Sequence, residues 1–162
     1  MKAPATTIAR QGVKGFTLVE LIIVSIIIVV LASVAIPLAE TAVKREREIE
    51  LRRSLRLIRT ALDDYQSFVT ENNIPFTEKT YAYPEKLEML VEGITYKDKE
   101  NNTKIKKFLR RIPPDPMNPS GEWGLRSYQD KPDKSSWGGQ NVWDVYSLSE
   151  RRALDGTYYN EW

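Results

Sequence analysis

The chain has 162 residues with 24 basic and 22 acidic side chains, no cysteine and no histidine. Without cysteine it has no disulfide, and without histidine it lacks the commonest general base and zinc ligand, so a hydrolytic triad or a catalytic zinc site is not expected. A near balance of charge offers little to attract nucleic acid, and no nucleic-acid partner is expected.

Residues 1–15 carry Lys2, Arg10 and Lys14 with no acid. A positive start of this kind also suits an ordinary secretory signal peptide. The apolar run that follows is too long for that, however, and Pro37-Leu38-Ala39-Glu40 at its far end offers no small-residue cleavage site. From Phe16 to Ile36 the chain supplies about 21 residues, roughly 32 Å as a helix, enough to cross a hydrocarbon core of about 30 Å. Many of these residues are β-branched and are poor helix formers in water. In lipid, each backbone polar group must be satisfied within the segment, so a single span is helical despite this.

Glu20 is the one charge in this span, and Leu21 to Ile36 contain no other. A carboxylate at the centre of a bilayer helix costs about 2.5–3.5 kcal/mol on insertion scales, and less near an end. Glu20 therefore either snorkels to the interface or finds a cationic partner. The flank from Lys44 to Arg59 holds seven basic residues against three acidic ones, so the positive-inside rule alone does not place the N-terminus in the cytoplasm.

The segment Lys14-Gly15-Phe16-Thr17-Leu18-Val19-Glu20-Leu21 resembles the type IV pilin and type II secretion pseudopilin family. The resemblance implies cleavage by an inner-membrane prepilin peptidase between Gly15 and Phe16, followed by N-methylation of Phe16. It implies that Glu20 pairs with the terminal amine of a neighbouring subunit during assembly. It places the leader in the cytoplasm, against the charge rule. Pro37 matches a proline that family members carry at this distance, where the missing N–H weakens or kinks the helix. The implied organisation is a leader over 1–15, a transmembrane helix over 16–37 and a periplasmic domain over 38–162. Losing the leader leaves 21 basic against 22 acidic residues.

Beyond Pro37, Leu51, Leu55, Ile58, Leu62, Tyr65 and Val69 recur at spacings of four and three, marking one face of a helix that continues to about Asn72. A globular domain follows, so this face packs on that domain in preference to a coiled coil. Glu48 and Arg52 stand at i, i+4 with the acid first, the spacing of a surface pair. Arg52, Arg53, Arg56 and Arg59 read first as a solvated face and second as intersubunit salt bridges, with lipid headgroups and DNA as further readings.

Asn72-Asn73-Ile74-Pro75 ends the helix, and Tyr83 to Val91 reads as a short second helix presenting Leu87, Leu90 and Val91. Tyr96 to Lys107 is polar and reads as an exposed loop. The stretch Arg111 to Pro119 is too rich in proline for a central strand and forms a turn. Strands are expected over Leu125–Gln129 and Val142–Leu148. Trp123, Trp137, Trp143 and Trp162 read mainly as core for a thin sheet-on-helix domain, with a carbohydrate- or surface-binding role as the alternative.

The Tyr83-Pro84 dipeptide before a helix ending at Gly93, and the Pro113-Pro114-Asp115-Pro116 run, resemble the major pseudopilins. That resemblance implies an α+β, pilin-like fold: a long N-terminal helix, half transmembrane and half amphipathic, packed on a small antiparallel sheet. In such proteins the region corresponding to 144–156 holds calcium, for which Glu150 and Asp155 are the available side-chain ligands here. Arg151 and Arg152 oppose a cation, and the alternative is an Asp155-Gly156 turn with Glu150 paired to an arginine. The function implied is that of a non-enzymatic pseudopilus subunit: a homopolymer in contact with minor pseudopilins and an inner-membrane assembly platform, acting as a piston in secretion. The nearest alternative is a pilin of a type IV pilus, and a more distant one is a single-pass membrane enzyme or binding protein.

Overall fold

A computed structural model of the chain describes residues 15–131, 134 and 136–162. Its helix α1 spans Leu18–Glu71 and helix α2 spans Met89–Glu92. Strands β1 (Ile94–Lys97) and β2 (Thr103–Lys106) form one antiparallel pair, and β3 (Trp123–Arg126) and β4 (Asp144–Ser147) form another. A 3₁₀ turn covers Tyr159–Glu161. This is the expected α+β, pilin-like architecture. Residues up to Thr41 form one compact unit and Ala42–Trp162 a second. The expected leader lies outside the described residues except for Gly15.

In the second unit, the six predicted helix positions from Leu51 to Val69 are all between 0 and 6% exposed. Each full burial contributes about 1.5–3 kcal/mol relative to leaving the side chain in water. They share a core with Trp123 and Val145 from the second sheet and with Leu90 of α2. Two or three short strands cannot stand alone in water, and α1 supplies the apolar surface they need.

The end of α1 is set by Asn73, whose φ of +49° is left-handed. Ile74 N donates to the Val69 carbonyl at 3.0 Å and Asn73 N to the Thr70 carbonyl at 3.3 Å, the paired bonds of a Schellman stop. The second helix is shorter than the expected Tyr83 to Val91, because its first residues form turns and only Met89–Glu92 close helical bonds. Gly93 follows at φ +90°, and a Cβ there would collide with the Lys106 backbone carbonyl, so only glycine lets the chain turn directly into β1.

The expected loop from Tyr96 to Lys107 is instead the β1–β2 hairpin. Asp98 builds its turn: its Oδ1 accepts the N–H groups of Glu100 and Asn102, both at 2.9 Å, and its Oδ2 pairs with Lys104 Nζ at 2.7 Å. The Lys104 contact is the leading cause of an Asp98 carboxyl held below its ordinary range. Every residue of β2 is exposed.

In the proline-rich segment Asp115 is almost wholly buried. Its carboxylate accepts Met117 N at 2.8 Å and the Ser147 hydroxyl at 2.7 Å, fastening the turn to β4. The four tryptophans do not share one role. Trp123 is core and donates to the Pro113 carbonyl at 2.8 Å, while Trp137 and Trp143 stay partly exposed because they sit on loop residues at the sheet margin.

Candidate functional site

Among the described residues, the site that sequence singles out begins at Gly15 and Phe16, which precede α1 in extended chain. A Cβ added to Gly15 meets nothing within 4 Å, and the Phe16 ring is 75% exposed, so among the described residues nothing packs over either. Thr17 caps the helix, with its Oγ1 accepting Glu20 N at 3.2 Å and its carbonyl accepting Leu21 N at 3.1 Å. Thr17-Leu18-Val19-Glu20 has the S/T-x-x-E spacing of a capping box, a signal in the sequence itself that marks the helix start. It places Glu20 in the first turn of α1, four residues from Phe16, where the helix dipole favours an acid. The Glu20 carboxylate has no hydrogen-bond or ion-pair partner among the described residues.

Leucine, isoleucine and valine side chains between Leu18 and Leu31 are 44 to 73% exposed, an apolar surface with nothing of its own to cover it. The hydroxyls within the span turn inward: Ser25 donates to the Leu21 carbonyl and Ser33 to the Val30 carbonyl, both at 2.7 Å. Such self-satisfaction is what lipid demands of polar side chains. By length and composition α1 can cross a membrane, with a mean hydropathy of 3.1 in its most apolar window. Pro37 lies inside α1 and has no N–H to give the Ser33 carbonyl, while Thr41 Oγ1 donates to the Pro37 carbonyl at 2.9 Å.

The chain carries a prokaryotic N-terminal methylation motif, matched over residues 10–36. The match embraces Gly15, Phe16 and Glu20 and supports the pilin and pseudopilin family through its prepilin signal. With the long apolar helix it points to membrane anchoring and to a pilin-like subunit processed by a prepilin peptidase and built into a filament. No curated protein and no solved structure matches the chain.

The second expected site, calcium at Glu150 and Asp155, does not fit the residues as they are placed. Asp155 Oδ1 accepts Thr157 N at 3.0 Å and the Thr157 hydroxyl at 2.6 Å, and its Oδ2 pairs with Arg52 at 3.0 Å. Those Thr157 contacts, ahead of Arg52, hold its carboxyl below the ordinary range. Glu150 is exposed and makes no hydrogen bond or ion pair among the described residues, neither to a cation site nor to the arginine considered above. No group of three acidic side chains converges among the described residues, whereas calcium takes six to eight oxygen ligands. The Asp155-Gly156 turn does form, with Gly156 at φ +89° and its N–H on the Ala153 carbonyl at 3.2 Å.

Helix α1 holds this segment instead. Glu48 does not pair with Arg52 as its spacing suggests. It is buried and accepts Leu154 N and the Tyr159 hydroxyl, both at 2.8 Å. Arg52, released from Glu48, pairs with Asp155 and lies over the Trp162 ring, 4.1 Å from its centroid. Arg59 clasps Asp144 at 2.7 Å and donates to the carbonyls of Val145 at 3.1 Å and Trp162 at 2.9 Å. The four-arginine cluster is therefore divided: Arg52 and Arg59 hold the C-terminal segment, and Arg53 and Arg56 face solvent.

Proposed function

We propose that the protein is a non-catalytic structural subunit of a pseudopilus in type II secretion. A prepilin peptidase cuts between Gly15 and Phe16 and methylates the new amine of Phe16. The carboxylate of Glu20 then pairs with that amine on a neighbouring subunit, so that polymerisation neutralises a charge that is costly in lipid. Pro37 loosens the helix where it leaves the bilayer. The transmembrane part of α1 enters the filament core, and the domain beyond it lies in the periplasm. Minor pseudopilins and an inner-membrane assembly platform are its partners, and filament growth drives secreted proteins outward as a piston.

The observation that carries this reading is Glu20, without a partner among the described residues, in the first turn of an exposed apolar helix, directly after Gly15-Phe16 and within the methylation motif. The absence of cysteine favours the secretion branch over pilins that close their C-terminal region with a disulfide.

The test is deletion of the gene, with the secreted proteins and the surface fibres both followed. Loss of secretion with fibres intact supports the pseudopilus. Loss of fibres with secretion intact assigns the protein to a type IV pilus.

A further inference from the structure

The part of α1 beyond residue 42 buries one face, from Leu51 to Val69, and leaves the opposite face bare. The centre line of that bare face is Glu46, Arg53, Thr60 and Ser67, all exposed and each seven residues from the next. Glu50 and Asp64 lie along one flank of the line, and Arg56 and Asp63 along the other. Followed toward the end of the helix, the stripe is acidic at 46 and 50, basic at 53 and 56, and acidic again at 63 and 64.

The protein makes no internal use of these charges. Among the described residues, all six lack a hydrogen bond or ion pair through their side chains, whereas Arg52 and Arg59, further round the helix, hold the C-terminal segment. Glu46 and Glu50 stand at i, i+4 with like sign, an arrangement that weakens an isolated helix. Ile49 and Leu57 are left 63 and 49% exposed among the charges.

Blocks in this order complement themselves when displaced. Two parallel helices at the same level oppose arginine to arginine at 53 and 56. A shift of one turn, three or four residues, opposes Glu46 to Glu50 and Arg53 to Arg56. A shift of two turns, seven residues or about 10.5 Å, is the smallest by whole turns that opposes unlike charges. It brings Glu46 of one copy level with Arg53 of the other, and Arg56 level with Asp63. The same side of the helix stays in contact, because seven residues drift by only about 20°. Asp64 comes level with Glu71 and meets its own sign, the one unfavourable pairing on the stripe.

We propose that the stripe from Glu46 to Ser67 docks a second copy of this chain, parallel and displaced by seven residues. This rests on the filament reading above, in which every copy is drawn in by the same end of α1, so that neighbouring helices run in one direction. Exposed ion pairs add little affinity, but like charges brought together penalise a wrong pairing. The charges therefore fix the register of neighbours, while Ile49 and Leu57 supply apolar contact between them.

The test uses the full chain in cell membranes, where formaldehyde crosslinking of the native protein reports polymerisation whatever its register. The chain has no cysteine, so a pair can be introduced without background. Thr60→Cys with Ser67→Cys removes no charge, and within one helix the two positions stand about 10.5 Å apart, too far for a disulfide, so any bridge joins two copies. Under a mild oxidant the double variant should give a ladder of linked oligomers, and neither single variant should give a dimer. Arg53→Glu should remove the ladder, and adding Glu46→Arg should restore it, since residues 46 and 53 are too far apart to pair within one chain. Polymer without the ladder overturns the register and leaves the filament reading standing. So does a dimer from either single variant, a ladder indifferent to Arg53→Glu, or one that Glu46→Arg fails to restore. A native chain that never polymerises overturns both.

Discussion

Tyr159 donates its phenolic hydrogen to Glu48 Oε1 across 2.8 Å, although 111 residues separate the two. The bond joins the middle of α1 to the 3₁₀ turn, and Glu48 adds a second by accepting Leu154 N. Burial first, then the hydrogen bond and charge of Glu48, push the Tyr159 phenol up to about 12.

Tyr159→Phe should therefore cost about 1.5–3 kcal/mol at neutral pH, the usual worth of a hydrogen bond to a charged group. Its pH dependence has a definite sign. A folded pKa raised from about 10 contributes stability that is complete below pH 10 and is lost as pH rises toward about 12. Urea unfolding of both proteins should show the advantage of the native tyrosine narrowing across that window. A constant gap would mean that the phenol and Glu48 are not coupled in solution.

Calcium removal should leave the fold untouched. Arg52 and Thr157 already occupy the Asp155 carboxylate, and Glu48, Arg52 and Arg59 anchor the segment from 144 to 162. Unfolding temperatures in calcium and in chelator should agree to within about 2 °C, because a ligand stabilises only what it binds. Arg52→Ala should change stability little, since both partners of its ion pair are about half exposed.

Asp115→Ala is expected to be among the most damaging single changes. It strips partners from the buried Ser147 hydroxyl and from Met117 N, at about 1–3 kcal/mol for each group left unsatisfied. Chemical denaturation of the variant beside Ser147→Ala separates the contributions. Ser147→Ala removes the bond to Asp115 and the one its hydroxyl accepts from Ser149 N at 3.1 Å but leaves Met117 N on Asp115, so a larger loss in Asp115→Ala measures the share of the Met117 turn.

These contacts mark how far the sequence could be read. The α1 face was legible because Leu51 through Val69 repeat with the period of a helix, and all six are buried. The methylation motif was legible because its residues are contiguous. The β1–β2 hairpin was not, because its order comes from the Asp98 turn and from strand pairing, and no buried alternation marks β2. Glu48 looked like a surface partner of Arg52 because i, i+4 spacing says nothing about a loop 106 residues away that covers the helix. The contacts of the Tyr128 ring with Tyr81 and Trp143 were invisible for the same reason. The three rings lie in separate loops, and only the folded backbone, tied through Asn141, brings them together.

On the proposed function, Glu20→Ala should leave membrane insertion intact and abolish polymerisation. Removing the carboxylate relieves an insertion cost of about 2.5–3.5 kcal/mol at most, and it also removes the partner for the neighbouring amine. Membrane fractionation with crosslinking of filaments distinguishes the two effects. Normal filaments from Glu20→Ala would remove the charge-neutralisation mechanism.

The fully exposed strand β2, Thr103-Lys104-Ile105-Lys106, has a further effect. A bare strand edge invites any other strand to continue the sheet, and lysines along an edge discourage it. On the proposed function, a subunit waiting in the membrane has two routes to self-association, one through its apolar helix and one through its sheets. The charges on β2 penalise the second route, so that crowded subunits are kept from tangling through their globular parts before the helices are drawn into order.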